Sequence, residues 1–191
     1  MDHTAQTDYP LADVLARRHS PRAFNPEVEL TDEQIGSLLE AARWSASSSN
    51  SQPWRLYVAR RGTELFDAVV AALASGNQAW AAHAPVLIVN VAKMVTDEGK
   101  PEKWAPYDVG QAAAHLSTQA THMGLIVHQM GGFDAEAMRA AVGVDDDHQP
   151  WAVLAVGEHG RADLLPEKLQ ERENTPRVRK SLDEIAPSWR G

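Results

Sequence analysis

The most informative residues of this chain lie in two short stretches, Arg18-His19-Ser20-Pro21-Arg22-Ala23-Phe24 and Ser47-Ser48-Ser49-Asn50-Ser51-Gln52-Pro53-Trp54. Neither stretch has the apolar pattern of a core segment. A guanidinium offers a planar fork of donors to an anion, and serine hydroxyls with backbone amides can complete a cradle around it. The two stretches therefore predict a site for phosphate oxygens or for the polar edge of a planar heterocycle.

The composition of the 191 residues fits one domain, 1–191, with a sizeable core. The formal net charge of -8 argues against a general nucleic-acid-binding protein, which needs a basic face to neutralise phosphates. The chain has no cysteine, which excludes disulfides, thiolate metal sites and cysteine nucleophiles. Any redox activity must therefore come from a bound cofactor.

The N-terminal residues are polar and lack the pattern of a signal peptide, and the longest apolar run, 84–89, is too short to cross a bilayer. We expect a soluble cytoplasmic protein with neither nucleic acid nor membrane as a partner. Four tryptophans lie beside polar motifs: Trp44, Trp54, Trp80 and Trp104. They are expected either to wall a pocket for a flat ligand or to pack in the core or in a dimer interface.

Apolar periodicity and capping residues indicate the helices. The capping box Thr31-Asp32-Glu33-Gln34 begins a helix over 32–43. Further helices are predicted over 11–18, 108–123 and 135–142. Another helix is predicted to begin at Gly62-Thr63 and to end near Ser75-Gly76-Asn77. Strands are predicted at 55–59, 84–91, 125–127 and 151–156, and residues 93–106 are expected to form a loop.

The segment from Leu164 onward carries charges without clear periodicity, so we expect it to be disordered or to wrap a neighbour. The helix over 108–123 is rich in alanine, which favours a position deep in the core or at a subunit interface. No repeat and no linker divides the chain. The mixture of helices with a few buried strands predicts an α+β or α/β layered domain.

Other kinds of site have weaker support. The Gly-x-Gly-x-x-Gly, Walker A and Gly-x-Ser-x-Gly motifs are absent. His115 and His122 share a helix face but are separated by roughly 10 Å along the axis, which is too far to hold one ion. The run Asp145-Asp146-Asp147-His148 is better explained as a solvated acidic turn than as a calcium loop. We therefore expect no metal site.

Five polar segments occur in a recognisable order: 18–22, 47–52, Asn77-Gln78, Gly131-Gly132 and 177–180. In the first two the chain resembles the FMN-dependent nitroreductase family, and in particular the oxygen-insensitive bacterial nitroreductases. Weaker matches continue through Gly76-Asn77, the Gly131-Gly132-Phe133-Asp134 turn and the arginine tail before Leu182-Asp183-Glu184. The resemblance covers most of the chain, from about Leu11 to Glu184.

The resemblance implies an α+β fold of three layers, in which a central mixed, mainly antiparallel sheet is flanked by helices. It also implies an intertwined homodimer with two FMN sites at the interface. In that dimer the extended C-terminal tail, about 164–191, would wrap the partner subunit, and the helix over 108–123 would be central to the interface.

The resemblance also assigns cofactor contacts. Arg18, His19 and Ser20 would bind the phosphate and ribityl end of FMN. Arg22 would lie near the pyrimidine edge, where a cation favours the negative charge of the reduced ring. The other expected contacts are Asn77 at the same edge, Ser47, Ser48 and Asn50 from the partner subunit, the backbone of Gly131 and Gly132 near flavin N5, and Arg177 and Arg179 over the phosphate.

The implied activity is that of an FMN-dependent oxidoreductase that takes a hydride from NADH or NADPH through flavin N5. A ping-pong mechanism passes it to a nitroaromatic, quinone or related small-molecule acceptor, and no side chain is expected to be an essential catalytic residue. The alternatives are a specialised enone or dehalogenating reductase of the same fold and a flavin-binding or storage protein without turnover.

Two departures from the family pattern bear on the choice of acceptor. The segment between the strand at 84–91 and the helix at 108–123 is shorter than in the longer nitroreductases. Trp104 and Tyr107 are therefore expected to line the acceptor slot, which the 93–107 loop either covers or leaves open. Gly131 stands where related sequences carry an acidic residue beside the flavin.

Overall fold

A four-stranded antiparallel sheet forms the centre of the computed structural model, which describes residues 3–190. The strands are β1 (Trp54–Arg60), β2 (Val86–Lys93), β3 (Ile126–Met130) and β4 (His148–Gly157). Their order across the sheet is β1-β2-β4-β3, and each neighbouring pair is antiparallel. The expected mainly antiparallel sheet is therefore confirmed, and among the described residues it contains no parallel pair.

Helices cover both faces of the sheet and make the fold α+β in three layers, as expected. The helices are α1 (Asp13–Arg17), α2 (Asp32–Arg43), α3 (Glu64–Ala72), α4 (Ser75–Ala81), α5 (Ala105–His122), α6 (Ala135–Val142), α7 (Glu167–Glu173) and α8 (Leu182–Ile185). On one face, α3, α4 and α6 enclose a core around Phe66, Trp80 and Met138. On the other face, α2 and α5 enclose a core around Leu38 and Leu116.

The two central strands are apolar on both sides because each side meets a helical layer. In β2, Val89 and Val91 belong to the first core, whereas Val86 and Ile88 belong to the second. All four side chains are fully buried or nearly so. A continuous apolar run in the sequence is typical of a strand covered on both faces.

The longest helix, α5, begins earlier than the sequence predicts. Pro106 lies in its first turn, where a proline costs no intrahelical hydrogen bond, so the helix starts within the expected loop. One face of α5 packs its small residues against the sheet, including Ala112, Ala113 and Ala120. The opposite face leaves Gly110 and Ala114 exposed, so this helix presents a second smooth surface to its surroundings.

The structure corrects the prediction that the third helix closes near Ser75-Gly76-Asn77. The helix α3 ends earlier, because Leu73 turns to extended backbone and forms an antiparallel bridge with Phe133. The chain then begins α4 at Ser75, with Asn77 inside the new helix. A tertiary contact, invisible in the local pattern, therefore divides one predicted helix into two.

Of the two alternatives stated for the tail from Leu164 onward, disorder is contradicted by the structure. The tail forms α7, whose Leu169 packs against the first core, and α8, which begins at a capping box between Ser181 and Glu184. The tail contacts the start of its own chain, since the Arg177 guanidinium donates to the carbonyl of Ala16 at 2.7 Å. Wrapping of a partner subunit stays a prediction.

Among the helices of residues 3–190, none combines the length and the apolar character that crossing a membrane requires.

Candidate functional site

The segment that follows α1 brings a half-buried arginine to the surface of the fold. Arg18 has extended backbone and so ends α1, and Pro21 follows before another turn of helix could form. The Arg18 guanidinium lies 3.4 Å from the hydroxyl of Ser20. Burial, and then the charges of Arg177 and Arg179, lower the pKa of Arg18.

Arg18, Arg177 and Arg179 are here called the arginine cluster, because Arg18 lies near the two tail arginines although they are far from it in the sequence. Burial and then the charge of Arg179 lower the pKa of Arg177. Within residues 3–190, none of the three has a carboxylate within ion-pair distance. A group of cations without internal counter-charge is well suited to bind an anion such as phosphate.

His19 lies between two other histidine rings. Its centroid is 4.9 Å from that of His3 and 6.3 Å from that of His159, and its Nδ1–H donates to the carbonyl of Arg17. Burial is the main cause that lowers the pKa of His19, so its neutral form is favoured. The three histidines, His3, His19 and His159, line a cavity of about 310 Å³ together with Thr121 and other residues.

Arg22 is fixed through its backbone and lies over an indole. Its N–H donates to both carboxylate oxygens of Glu173 at 3.0 Å. Its guanidinium carbon is 6.0 Å from the ring centroid of Trp80, which in turn contacts the ring of His128 at 4.5 Å. Burial, then the charge of Arg22, lowers the pKa of His128. The Arg22 side chain therefore sits on a rigid aromatic support.

Asn77 lies in contact with the Gly131-Gly132 turn. The side-chain amide of Asn77 donates to the carbonyl of Gly132 at 3.0 Å, and the N–H of Ala74 donates to the same oxygen at 2.9 Å. A Cβ at Gly132 would lie 3.1 Å from the Asn77 amide nitrogen, whereas a Cβ at Gly131 would meet open space. Gly132 thus makes room for Asn77, and Gly131 leaves space in front of the turn.

The serine string, residues 47–52, adopts a strained loop. Ser49, Asn50 and Gln52 have φ of 50°, 59° and 50°, in the left-handed region that side chains disfavour. The Ser47 hydroxyl accepts the N–H of Gln52 at 3.1 Å, which closes the loop on itself. Such strain persists only where the surroundings hold it, and it clusters at functional sites.

The serine string and the arginine cluster lie at opposite ends of α5. The N–H of Ser48 donates to Asp108 near the start of the helix, whereas His19 shares its cavity with Thr121 near the end. At about 1.5 Å of rise per residue, these two ends are about 20 Å apart along the axis. Within one chain, the two most informative stretches therefore do not converge on one point.

Trp104 and Tyr107 lie at the same end of α5 as the serine string. Both are exposed, and their rings meet edge to face at 6.4 Å. The ammonium of Lys103 lies 5.5 Å from the Trp104 ring. Of the other tryptophans near polar motifs, Trp54 and Trp80 are buried in the core, and Trp44 is exposed. Packing in the core is thus confirmed for Trp54 and Trp80, whereas a role of Trp44 and Trp104 as walls of a ligand pocket stays a prediction.

The site region also contains residues that the sequence pattern does not single out, namely Glu173, His159 and His128. Glu173 stands among several charged residues of the tail, and nothing in the sequence distinguishes it from Glu167 or Glu171. Only its burial and its contact with the Arg22 backbone single it out.

Two of the histidines considered as metal ligands have other partners. The Nδ1 of His115 is hydrogen bonded to the Ser45 hydroxyl at 2.7 Å, and the Nδ1 of His148 to Asp145 at 2.6 Å. Among residues 3–190, no three histidine, aspartate or glutamate side chains come together in a way that could hold a metal ion.

Two proteins with similar sequences cover most of this chain. An uncharacterized 15.4 kDa protein of Mycolicibacterium smegmatis is 38% identical over 144 residues, which is 69% of this chain and 93% of that protein. An oxygen-insensitive NAD(P)H nitroreductase of Salmonella typhimurium is 29% identical over 81% of this chain and 91% of its own.

A solved structure described as an oxidoreductase containing FMN is similar over 97% of this chain and 94% of its own. Its TM-score is 0.90 and its sequence identity is 33%. The cofactor expected from the sequence is thus the one that this relative contains. A putative nitroreductase of Desulfovibrio desulfuricans, with a TM-score of 0.75 and 21% identity over 94% of this chain and 96% of its own, shares the fold.

The nitroreductase family model matches residues 15–158, which include the Arg18–Arg22 segment, the serine string, Asn77 and the glycine turn. The resemblance seen in the sequence and the expectation of an oxidoreductase are thereby confirmed: the chain belongs to the nitroreductase family.

Proposed function

We propose that this protein is an NAD(P)H-dependent FMN oxidoreductase that reduces nitroaromatic, quinone or related planar acceptors. The observation that carries the proposal is the arginine cluster, whose three cations have no ion-pair partner within residues 3–190. Bound FMN would supply hydride transfer in a ping-pong cycle, from the nicotinamide to the acceptor. No protein side chain serves as nucleophile or proton donor in this proposal.

The residues present fit the chemical groups of FMN. The arginine cluster is suited to a phosphate, and Ser20 and His19 lie beside it to receive the polar chain. Arg22 presents a guanidinium that would favour negative charge on the reduced ring. Asn77 holds the Gly131-Gly132 turn in place, and the open space in front of Gly131 admits a flat ring.

The proposed functional unit is a homodimer in which each FMN site takes residues from both subunits. The opposite placement of the arginine cluster and the serine string along α5 supports this, because a second copy in reversed orientation would bring them together. The partner would contribute Ser47, Ser48 and Asn50. The exposed Gly110 and Ala114 face of α5 would allow two such helices to approach closely.

The dimer proposal predicts complementation between two variants that each bind FMN weakly. Arg18→Ala and Asn50→Ala each damage every site of a homodimer. In a mixed dimer, one site carries both changes and the other carries neither. Unfolding and refolding the two variants together should therefore produce sites with wild-type FMN affinity, which neither variant has alone. A mixture no better than its components would contradict a shared site.

The proposal extends to the remaining features of the chain. Residues 1–191 form one functional domain, whose tail from about 164 continues onto the partner. Trp104 and Tyr107 would line the acceptor slot by stacking on a planar acceptor, since both rings are exposed at the serine-string end. We place the enzyme in the cytoplasm, where reduced nicotinamide is available.

The first test is the binding of FMN to the purified protein. Free FMN is removed, and the cofactor is added back while its fluorescence is followed. The proposal predicts a saturable change with a stoichiometry of one FMN per chain, weakened by Arg18→Ala and by Arg22→Ala. A protein that stays colourless and cannot be reconstituted would overturn the proposal.

A further inference from the structure

Glu173, the last residue of α7, has a buried carboxylate that is hydrogen bonded to the backbone of Arg22 and Ala23. The N–H of Arg22 donates to both of its oxygens at 3.0 Å, and the N–H of Ala23 donates to Oε1 at 3.2 Å. Only 6% of the Glu173 side chain is exposed. The tail helix is thus joined to a loop that lies 150 residues earlier in the chain.

Burial of this carboxylate is costly and must be compensated by its donors. Burial alone raises the pKa of Glu173, but the His159 ring 3.6 Å away and the hydrogen bonds from the backbone N–H groups of Arg22 and Ala23 outweigh it and lower the pKa. The group is therefore ionised at neutral pH. The titratable and charged groups that face it are His159, at 3.6 Å, Arg22 and His128.

The Glu173 carboxylate accepts hydrogen bonds from the backbone N–H of Arg22 and forms no ion pair with the Arg22 guanidinium. Within residues 3–190 that guanidinium forms no ion pair, and it lies over the face of Trp80 at 6.0 Å. The other side of the segment is held too, because the N–H of Gly160 donates to the carbonyl of Ala23 at 2.7 Å. The main chain is fixed from both sides while the cationic head stays available.

We propose that Glu173 is a positioning residue, which fixes the Arg22–Ala23 backbone so that the Arg22 guanidinium is presented to the polar edge of the flavin ring. This inference rests on the proposed function. It gives the C-terminal tail a role within its own subunit, since loss of one tail contact disturbs the cofactor site without removing any group that touches FMN.

The test compares Glu173→Gln and Glu173→Asp with Glu171→Gln, a matched control on the exposed face of the same helix. Three quantities are measured on each protein: the FMN dissociation constant, the reduction potential of bound FMN and the thermal midpoint without FMN. Because charge-assisted hydrogen bonds to the segment are lost, Glu173→Gln should weaken FMN binding by about tenfold and shift the potential to a more negative value. Glu171→Gln should change neither.

A double-mutant comparison separates positioning from general stabilisation. If Glu173 acts through the Arg22 side chain, then Glu173→Gln should shift the potential in the wild-type background and have little further effect in an Arg22→Ala background. A purely structural role predicts a lower thermal midpoint with an unchanged potential, and that result would overturn the inference.

The outcomes also separate this inference from the proposed function. A wild-type protein that binds no FMN overturns both. A wild-type protein that binds FMN, with the same affinity and potential in Glu173→Gln, overturns the positioning role alone. If Glu173→Gln fails to fold, Glu173→Asp tests the positioning role in its place. The aspartate side chain keeps the negative charge but is too short to make the same hydrogen bonds to the Arg22–Ala23 backbone. Unchanged affinity and potential in that variant would equally refute the role.

Discussion

The backbone N–H of Ser48 donates to the buried carboxylate of Asp108 at 3.0 Å, and this contact ties the serine string to the first turns of α5. The string contains Ser49, Asn50 and Gln52 in left-handed conformations, which would relax if the loop were free. Asp108 thus anchors a strained loop to the longest helix of the fold.

Replacement of Asp108 by alanine should therefore loosen the loop. We expect a loss of about 1–3 kcal/mol of unfolding free energy, because the N–H of Ser48 is left without its charged acceptor. FMN affinity should fall as well, since the string is proposed to reach the cofactor of the partner. Urea unfolding and FMN titration check both effects. The exposed Asp67, in the first turn of α3, is the matched control, and Asp108→Ala behaving like Asp67→Ala would contradict the anchoring role.

Alanine substitutions at the two glycines of the turn should separate stability from cofactor binding. Gly132→Ala places a Cβ 3.1 Å from the Asn77 amide nitrogen, so it should lower the unfolding free energy by about 1 kcal/mol or more. Gly131→Ala meets open space and should leave the FMN-free protein within about 0.5 kcal/mol of wild type.

The substitution at Gly131, which should change the unfolding free energy little, should nevertheless affect FMN affinity. Gly131→Ala is expected to weaken FMN binding although it barely changes stability, because the open space is proposed to admit the ring. Thermal unfolding without FMN and cofactor titration measure the two effects separately. Full FMN affinity in Gly131→Ala would rule out a close approach of the cofactor to this turn.

Removal of a charge from the arginine cluster should lower FMN affinity without lowering the stability of the FMN-free protein. Arg18 is half-buried beside two other cations, and its lowered pKa reflects that burial and repulsion. We expect FMN-free Arg18→Met to be at least as stable as wild type, whereas its FMN affinity falls by about ten- to a hundredfold. Inorganic phosphate should raise the thermal midpoint of wild type and have less effect on the variant.

Arg17→Met provides the control for that experiment. Arg17 is exposed and pairs with Asp13 at 2.7 Å, outside the cluster. This variant should keep the phosphate effect and the FMN affinity of wild type. Equal losses in Arg17→Met and Arg18→Met would point to general electrostatic attraction in place of a defined anion site.

Acid should destabilise the fold through histidines that are favoured in the neutral form. Burial, then the charge of Arg22, lowers the pKa of His128, and burial is the main cause that lowers the pKa of His19. The unfolded chain binds protons at these positions first, as pH falls below about 6.5, so unfolding free energy should decrease there. His128→Phe should flatten the profile of unfolding free energy against pH between about 6.5 and 5. An unchanged slope would show that His128 does not contribute.

Local signals in the sequence were enough for some elements. The helix α2 has the predicted bounds, because its capping box and apolar face are both local features. The same holds for α6, which Asp134 caps and the left-handed Gly143 ends. By contrast, α8 has only four residues and offers no periodicity to detect.

The site was only partly predictable for a physical reason. Asn77 and Gly132 were both singled out, but their hydrogen bond spans 55 residues and depends on the bridge between Leu73 and Phe133. The role of Glu173 depends on burial, which no local pattern of the charged tail reveals. Motif order identified the family, whereas tertiary contacts determine which of these residues meet.

The most direct test of the central claim is anaerobic reduction of the FMN-reconstituted protein in a stopped-flow instrument. NADH and NADPH are each mixed with the protein, and a quinone or nitroarene is added once the visible flavin absorbance has changed. The account predicts that at least one nucleotide bleaches the flavin and that the acceptor restores its colour. A protein that binds FMN and is bleached by neither nucleotide would contradict the account and leave flavin binding without turnover.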